Sequence, residues 1–114
     1  MRILISQIEH VRPPRNFVFD ALERAYYDFF EGHTLIPVPN IIKVPECDYD
    51  CLVLTGGPDS IARNRTENLL YEDAINKGKI IIGICHGAFV INDICNGING
   101  RIEGHVDADI KIKM

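Results

Sequence analysis

The hydrophobic pattern alternates between short unbroken apolar runs and longer stretches with helical spacing. Ile3-Leu4-Ile5 is the first run, followed by Ser6-Gln7. Short runs without polar alternation read as strands of a parallel sheet covered on both faces. Ile8 to Pro14 interrupts any period with two prolines and several titratable residues, and reads as a loop. From Arg15 to Glu31 the spacing of Val18, Leu22, Ala25, Tyr26, Phe29 and Phe30 predicts a helix, approached through Pro13 and Pro14 and closed by Gly32.

Thr34 to Val38 is a second strand, placed at a sheet edge or ended early because Pro37 and Pro39 limit its ladder. Asn40 to Pro45 is an irregular connection with Ile41 and Ile42 as apolar anchors. Tyr49 to Leu54 forms a third strand that runs into Thr55-Gly56-Gly57-Pro58-Asp59. Ile61 to Arg65 reads as a polar linker. Thr66 as N-cap and Glu67 as a first-turn charge then open a helix, with Leu69, Leu70, Ala74 and Ile75 inward and Gly78 at its end. Lys79 to Gly83 is the fourth and most apolar strand. A helix packing through Ala88, Val90, Ile91, Ile94 and Cys95 follows, then turns at Asn96-Gly97 and Asn99-Gly100, and an alternating strand within Arg101 to Met114. Strands and helices in this order predict an α/β fold with right-handed crossovers and a mostly parallel central sheet. Ligands of such sheets bind outside the carboxyl ends of the strands, where Gln7, Gly56, Gly57 and Cys85 fall.

A chain of 114 residues suits one domain, 1–114, with one core. Its 12 Lys and Arg are scattered against 16 Asp and Glu, so it has no basic stripe for nucleic acid. No apolar run reaches membrane-spanning length, and Met1-Arg2-Ile3-Leu4-Ile5 is too short a start for a signal peptide. The expectation is a cytoplasmic protein without a membrane or nucleic-acid partner. Its cysteines, at 47, 51, 85 and 95, are then expected reduced. Cys47 and Cys51 lack a second Cys or His pair at zinc spacing, so neither metal nor cofactor is expected.

The chemistry concentrates at Ile80-Ile81-Ile82-Gly83-Ile84-Cys85-His86-Gly87-Ala88. A G-x-C-x-G turn between a buried strand and a helix is a nucleophile elbow, which lifts one side chain out of the sheet. The thiol of Cys85 then sits at a helix start, where free N–H groups favour thiolate and can receive an oxyanion. Thr55-Gly56-Gly57-Pro58-Asp59 offers a second set of exposed backbone N–H groups. A buried structural cysteine in a strand–turn–helix is the plainer alternative for the elbow taken alone.

Taken together, Thr55-Gly56-Gly57-Pro58-Asp59-Ser60 and Gly83-Ile84-Cys85-His86-Gly87 resemble the class I glutamine amidotransferase superfamily. The nearest likeness is to its γ-glutamyl hydrolase branch, the peptidase C26 and γ-glutamyl-γ-aminobutyrate hydrolase-like proteins. Ile5-Ser6-Gln7, Asp20-Ala21-Leu22-Glu23, Pro37-Val38-Pro39-Asn40 and Arg63 with Asn64-Arg65-Thr66-Glu67 extend it over nearly the whole chain. The resemblance implies a flavodoxin-like three-layer sandwich with the elbow after the fourth strand. It implies Cys85 as nucleophile, the backbone N–H groups of Gly57 and His86 as oxyanion hole, and Gln7, Gly56, Gly57 and Pro58 lining a small γ-glutamyl amide. The amide would be hydrolysed through a thioester on Cys85.

The chain departs from the family pattern in two places. The family completes its triad with a His-x-Glu pair well beyond the elbow, whereas this chain reaches Met114 with His105-Val106-Asp107 as the nearest equivalent. His105 is the candidate base; an exposed strand or loop histidine is the alternative. Phe89 stands where many amidotransferases have a glutamine, which points away from ordinary glutamine as substrate. Three outcomes stay open: a carboxyl-terminally truncated form, a base supplied by a neighbouring chain, or a non-catalytic binding or subunit module. Homo-association or a partner chain is expected through the carboxyl-terminal strand, whose alternating Asp109 to Lys113 would leave an unpaired edge. Cys85 followed directly by His86 also resembles the intracellular cysteine peptidase and chaperone superfamily, in which Glu9 would be the acid.

Overall fold

The apolar runs line up as the middle of a twisted sheet. A computed structural model of the protein describes residues 1–85, Gly87 and the backbone of Ile110–Lys113. In chain order its elements are β1 (Arg2–Ser6), β2 (Ile8–Arg12), β3 (Phe17–Ala21), α1 (Ala25–Phe29), β4 (Thr34–Val38), β5 (Cys51–Leu54), α2 (Ile61–Asn76), β6 (Ile80–Ile84) and β7 (Ile110–Lys113). The main sheet has the order β4-β1-β5-β6-β7, in which the first four strands are parallel and β7 runs antiparallel to β6. The helix expected through Ala88 to Cys95 and the turns at Asn96-Gly97 and Asn99-Gly100 lie outside the described residues.

Both faces of the sheet are covered, which is why its strands are apolar without alternation. On one face Leu4, Leu52, Leu54 and Ile81 pack against Leu70, Tyr71 and Ala74 of α2. On the other, Ile3, Ile5, Cys51 and Val53 meet Phe30, with Leu22, Tyr26 and Ile84 at the margin. The expected edge strand is β4, and Pro37 lies within it, paired opposite Ile5, rather than ending it.

Two sequence expectations are corrected here. Arg15 to Glu31 is not one helix, and Ile8 to Pro14 is not a loop. β2 and β3 form an antiparallel hairpin, with Val11 opposite Val18 and Arg12 opposite Phe17, and only Ala25–Phe29 is helical. Phe17-Val18-Phe19 is an aromatic and β-branched run that favours extended backbone over helix, and cross-strand pairing rewards it. The helical spacing was coincidental: Val18 and Phe29 are exposed, and of the expected inward face Phe30 alone is fully buried.

A third correction concerns Ile61 to Arg65, which is helix rather than linker. Ser60 is the N-cap of α2; its side chain accepts from the Arg63 N–H at 3.1 Å. The buried stripe runs Arg63, Thr66, Glu67, Leu70, Tyr71, Ala74, a helical period whose first half is polar. Thr66 is thus an interior residue, its hydroxyl accepting from the Ile42 N–H at 2.9 Å. Ile75, expected inward, is exposed.

Burial has one titratable consequence in the sheet. Cys51 is fully buried, and burial, with a smaller contribution from the Asp50 carboxylate, pushes its thiol from 9.0 up to about 11. Tyr49 is raised as well, by burial and by donating to the Asp73 carboxylate at 2.7 Å. For an acid whose folded pKa is raised, the stabilisation is complete below the unfolded value and is lost as pH rises through the folded one. Urea midpoints are therefore expected to hold up to about pH 8.5 and to fall between pH 9 and 11. Cys51→Val is expected to flatten that fall; an equally steep fall in the variant would exclude Cys51 as its source.

Candidate active site

Three strands deliver their carboxyl ends to one side of the sheet. The pairings Ile5 with Val53 and Leu54 with Gly83 set Gln7, Thr55 and Ile84 level with one another and carry Gly56 beside Cys85. Cys85 follows β6 directly and has φ +50°, in the left-handed region. Holding a non-glycine residue there costs about 1–3 kcal/mol, so the surrounding packing must enforce it. Gly87 is where that enforcement is visible. It is buried and helical, and a Cβ on it would overlap the Leu54 carbonyl oxygen and lie 2.5 Å from the carbonyl carbon. Gly87 therefore sits directly against the backbone of β5.

The Gly56-Gly57 turn completes the other wall. A Cβ on Gly56 would stand 3.4 Å from the Cβ of Cys85 and 3.7 Å from the Ile84 carbonyl oxygen. Gly57 has φ +109°, and a Cβ there would lie 2.6 Å from Ile8 Cγ2. Both conformation and space demand glycine at 57. The Gly56 N–H donates to Tyr26 Oη at 3.1 Å, so Tyr26 of α1 borders the same place.

Beneath the turn lies a buried polar network centred on Arg63. All five guanidinium N–H groups are used: Nε donates to Glu67 Oε1 at 2.6 Å, Nη1 to the carbonyls of Gly56 and Pro58 at 3.1 Å each, and Nη2 to the carbonyl and the hydroxyl of Thr55. Glu67 accepts in turn from the Ser6 hydroxyl at 3.3 Å. Ser6 Oγ accepts from the Thr55 N–H at 2.9 Å, and the Thr55 hydroxyl donates to the Ser6 carbonyl at 3.0 Å. The ends of β1 and β5 are thereby locked together, with every backbone carbonyl from Thr55 through Pro58 except that of Gly57 held by one side chain.

The residues singled out in the sequence divide accordingly. Gly56 and Cys85 are brought into contact, and Gly57 continues the same turn. Gln7 is half-buried at the end of β1, its carbonyl accepting from Asn40 Nδ2 at 3.0 Å. Pro58 is exposed, and its carbonyl belongs to the Arg63 network. Glu9 sits in β2 opposite Asp20. His86 and His105 lie outside the described residues, whereas His33 precedes β4 at the far end of the sheet. Two residues of the site were missed by sequence reasoning. Arg63 was legible as an i, i+4 partner of Glu67. Tyr26 carried no signal beyond its apolar spacing.

Tyr26 is raised above its ordinary pKa, first by burial and then by the neighbouring charges of Glu23 and Cys85; the Gly56 bond and Arg63 oppose the shift. Cys47, Cys51 and Cys85 form no disulfide among the described residues. Among the described residues no cluster of three or more His, Cys, Asp or Glu could hold a metal ion, and no helix is long and apolar enough to cross a membrane. A concavity of about 500 Å³ lined by Val44, Cys47, Asp48 and Asp73 opens before β5, away from the elbow. Compared with protein-family models, curated proteins and solved structures, the chain matches none. The chemistry therefore rests on the side chains and turns just described.

Removing one member of a buried ion pair leaves its partner's charge uncompensated, at about 3–5 kcal/mol. Arg63→Met is expected to lose that much stability in urea titration, since it strands Glu67 and three carbonyls together. Gly87→Ala is expected to lose about 1–3 kcal/mol or more, because the added methyl meets backbone rather than a movable side chain. A Gly87→Ala protein with unchanged stability would show that the elbow does not close on β5.

Proposed function

We propose that the protein is a cysteine-dependent amidohydrolase acting on γ-glutamyl amides, on a flavodoxin-like three-layer frame. The observation that carries this reading is Cys85, held at positive φ with the Gly56 turn against its Cβ. A nucleophile facing a glycine turn at the carboxyl ends of parallel strands suits acyl transfer. The strand order β4-β1-β5-β6, which reverses direction in the sheet beside β1, is compatible with that frame.

In this mechanism the Cys85 thiolate attacks the γ-carbonyl carbon; the C–S bond forms and the carbonyl electron pair moves to oxygen. The N–H groups of Gly57 and His86 receive the oxyanion, each such donor supplying about 2.7–4 kcal/mol in comparable sites. Collapse breaks the C–N bond, and the amine leaves after taking a proton from a general acid. Water then adds to the thioester, gives its proton to the base, and releases the γ-carboxylate as the C–S bond breaks. His105 and His86 are the histidines after β6 and the candidates for carrying those protons. The substrate is a small molecule, and no metal or cofactor enters the steps.

Release of amine from a γ-glutamyl anilide by the purified chain is the direct test. Cys85→Ser is expected to lower it by ~1,000-fold or more. His105→Ala and His86→Ala, each expected to cost roughly 100-fold to 10,000-fold if it carries the proton, separate the two. Equal release by wild type and Cys85→Ser would overturn the reading.

A further inference from the structure

We infer that the phenol of Tyr26 is a catalytic hydrogen-bond donor to the negative charge that forms at Cys85, an inference that rests on Cys85 being the nucleophile. The starting point is the geometry at Gly56. The position a Cβ of Gly56 would occupy lies 3.4 Å from Cys85 Cβ and 3.8 Å from Tyr26 Oη. The Cys85 side chain, at its Cβ, and the phenol thus flank the same small volume, which glycine leaves open.

The direction of the neighbouring hydrogen bond matters. Tyr26 Oη accepts from the Gly56 N–H, so the phenol keeps its own proton to give. A donor that is itself an acceptor from a peptide N–H is polarised toward giving that proton, as in any hydrogen-bond chain. The Gly56 N–H, consumed by this bond, acts on a charge at Cys85 only through Tyr26.

The setting favours that use. Tyr26 packs at the margin of the apolar cluster of Ile3, Ile5 and Val53, where a charge-directed hydrogen bond is screened less than in water. The charged groups that act on it are Glu23, Cys85 and Arg63. Burial and the negative neighbours keep the phenol protonated, the state a donor needs. A hydroxyl donating to an ionised acceptor makes a stronger bond than to a neutral one, so the chemistry asked of it is ordinary.

The test reads the thiolate and does not depend on turnover. The full-length chain is alkylated with iodoacetamide across a pH series, and the Cys85 adduct is quantified by peptide mass spectrometry. Tyr26→Phe deletes one oxygen and keeps the ring; its fold is checked by circular dichroism. The expected result is an upward displacement of the Cys85 alkylation midpoint by about one pH unit, a roughly tenfold slower reaction at neutral pH. An unchanged midpoint overturns the inference. If Tyr26→Phe does not fold, 3-fluorotyrosine at position 26, a more acidic phenol, is expected to lower the midpoint, and no change there overturns it equally. A displaced midpoint without Cys85-dependent release of amine would sink the hydrolase reading and leave the donor standing. Cys85-dependent release with an unmoved midpoint in Tyr26→Phe would do the reverse.

Discussion

The guanidinium of Arg63 is the constraint on which the site depends. An arginine with no solvent exposure is tolerable only when its charge is paired and its donors are filled, and here Glu67 and three residues of one turn fill them all. The same bonds fix the path of Thr55-Gly56-Gly57-Pro58. A glycine turn has little conformational preference of its own, so its shape has to be imposed from outside. The rigid, planar fork of Arg63 imposes it from below, and Ile8 and Tyr26 bound it from above.

This network also explains why α2 starts where it does. Its first turn faces the sheet with Arg63, Thr66 and Glu67, and its later turns with Leu70, Tyr71 and Ala74. One helix thus carries two kinds of interior: a polar end beneath the carboxyl ends of the strands, and an apolar end over the core. Hydrophobic periodicity detects only the second. The reading that began the helix at Thr66 failed because the buried face of its first turn is charged.

Most of the sheet was legible for the opposite reason. Ile3-Leu4-Ile5, Cys51-Leu52-Val53-Leu54 and Ile80-Ile81-Ile82 are too apolar to be anything but covered strands, and their order implied a parallel arrangement. The hairpin was not legible, because Val18 is an exposed apolar residue that happens to lie at helical spacing from Leu22 and Tyr26. Periodicity assumes that apolar residues are inside, and these are not. At the site, Gly56, Gly57 and Cys85 stood out through glycine spacing, a backbone signal. Tyr26 and Asn40 act through side-chain contacts made across distant segments, to Gly56 in one case and to Gln7 and Asp20 in the other. Nothing local marks such contacts.

The closure of Gly87 on Leu54 has a geometric consequence. With no side chain between them, the Gly87 backbone packs directly on the Leu54 backbone at the end of β5. Gly87, two residues past Cys85, is thereby tied to the strand whose end carries the Gly56-Gly57 turn, so packing alone couples the two sides of the site. The spacing across the site is then set by backbone packing rather than by the rotamers of side chains.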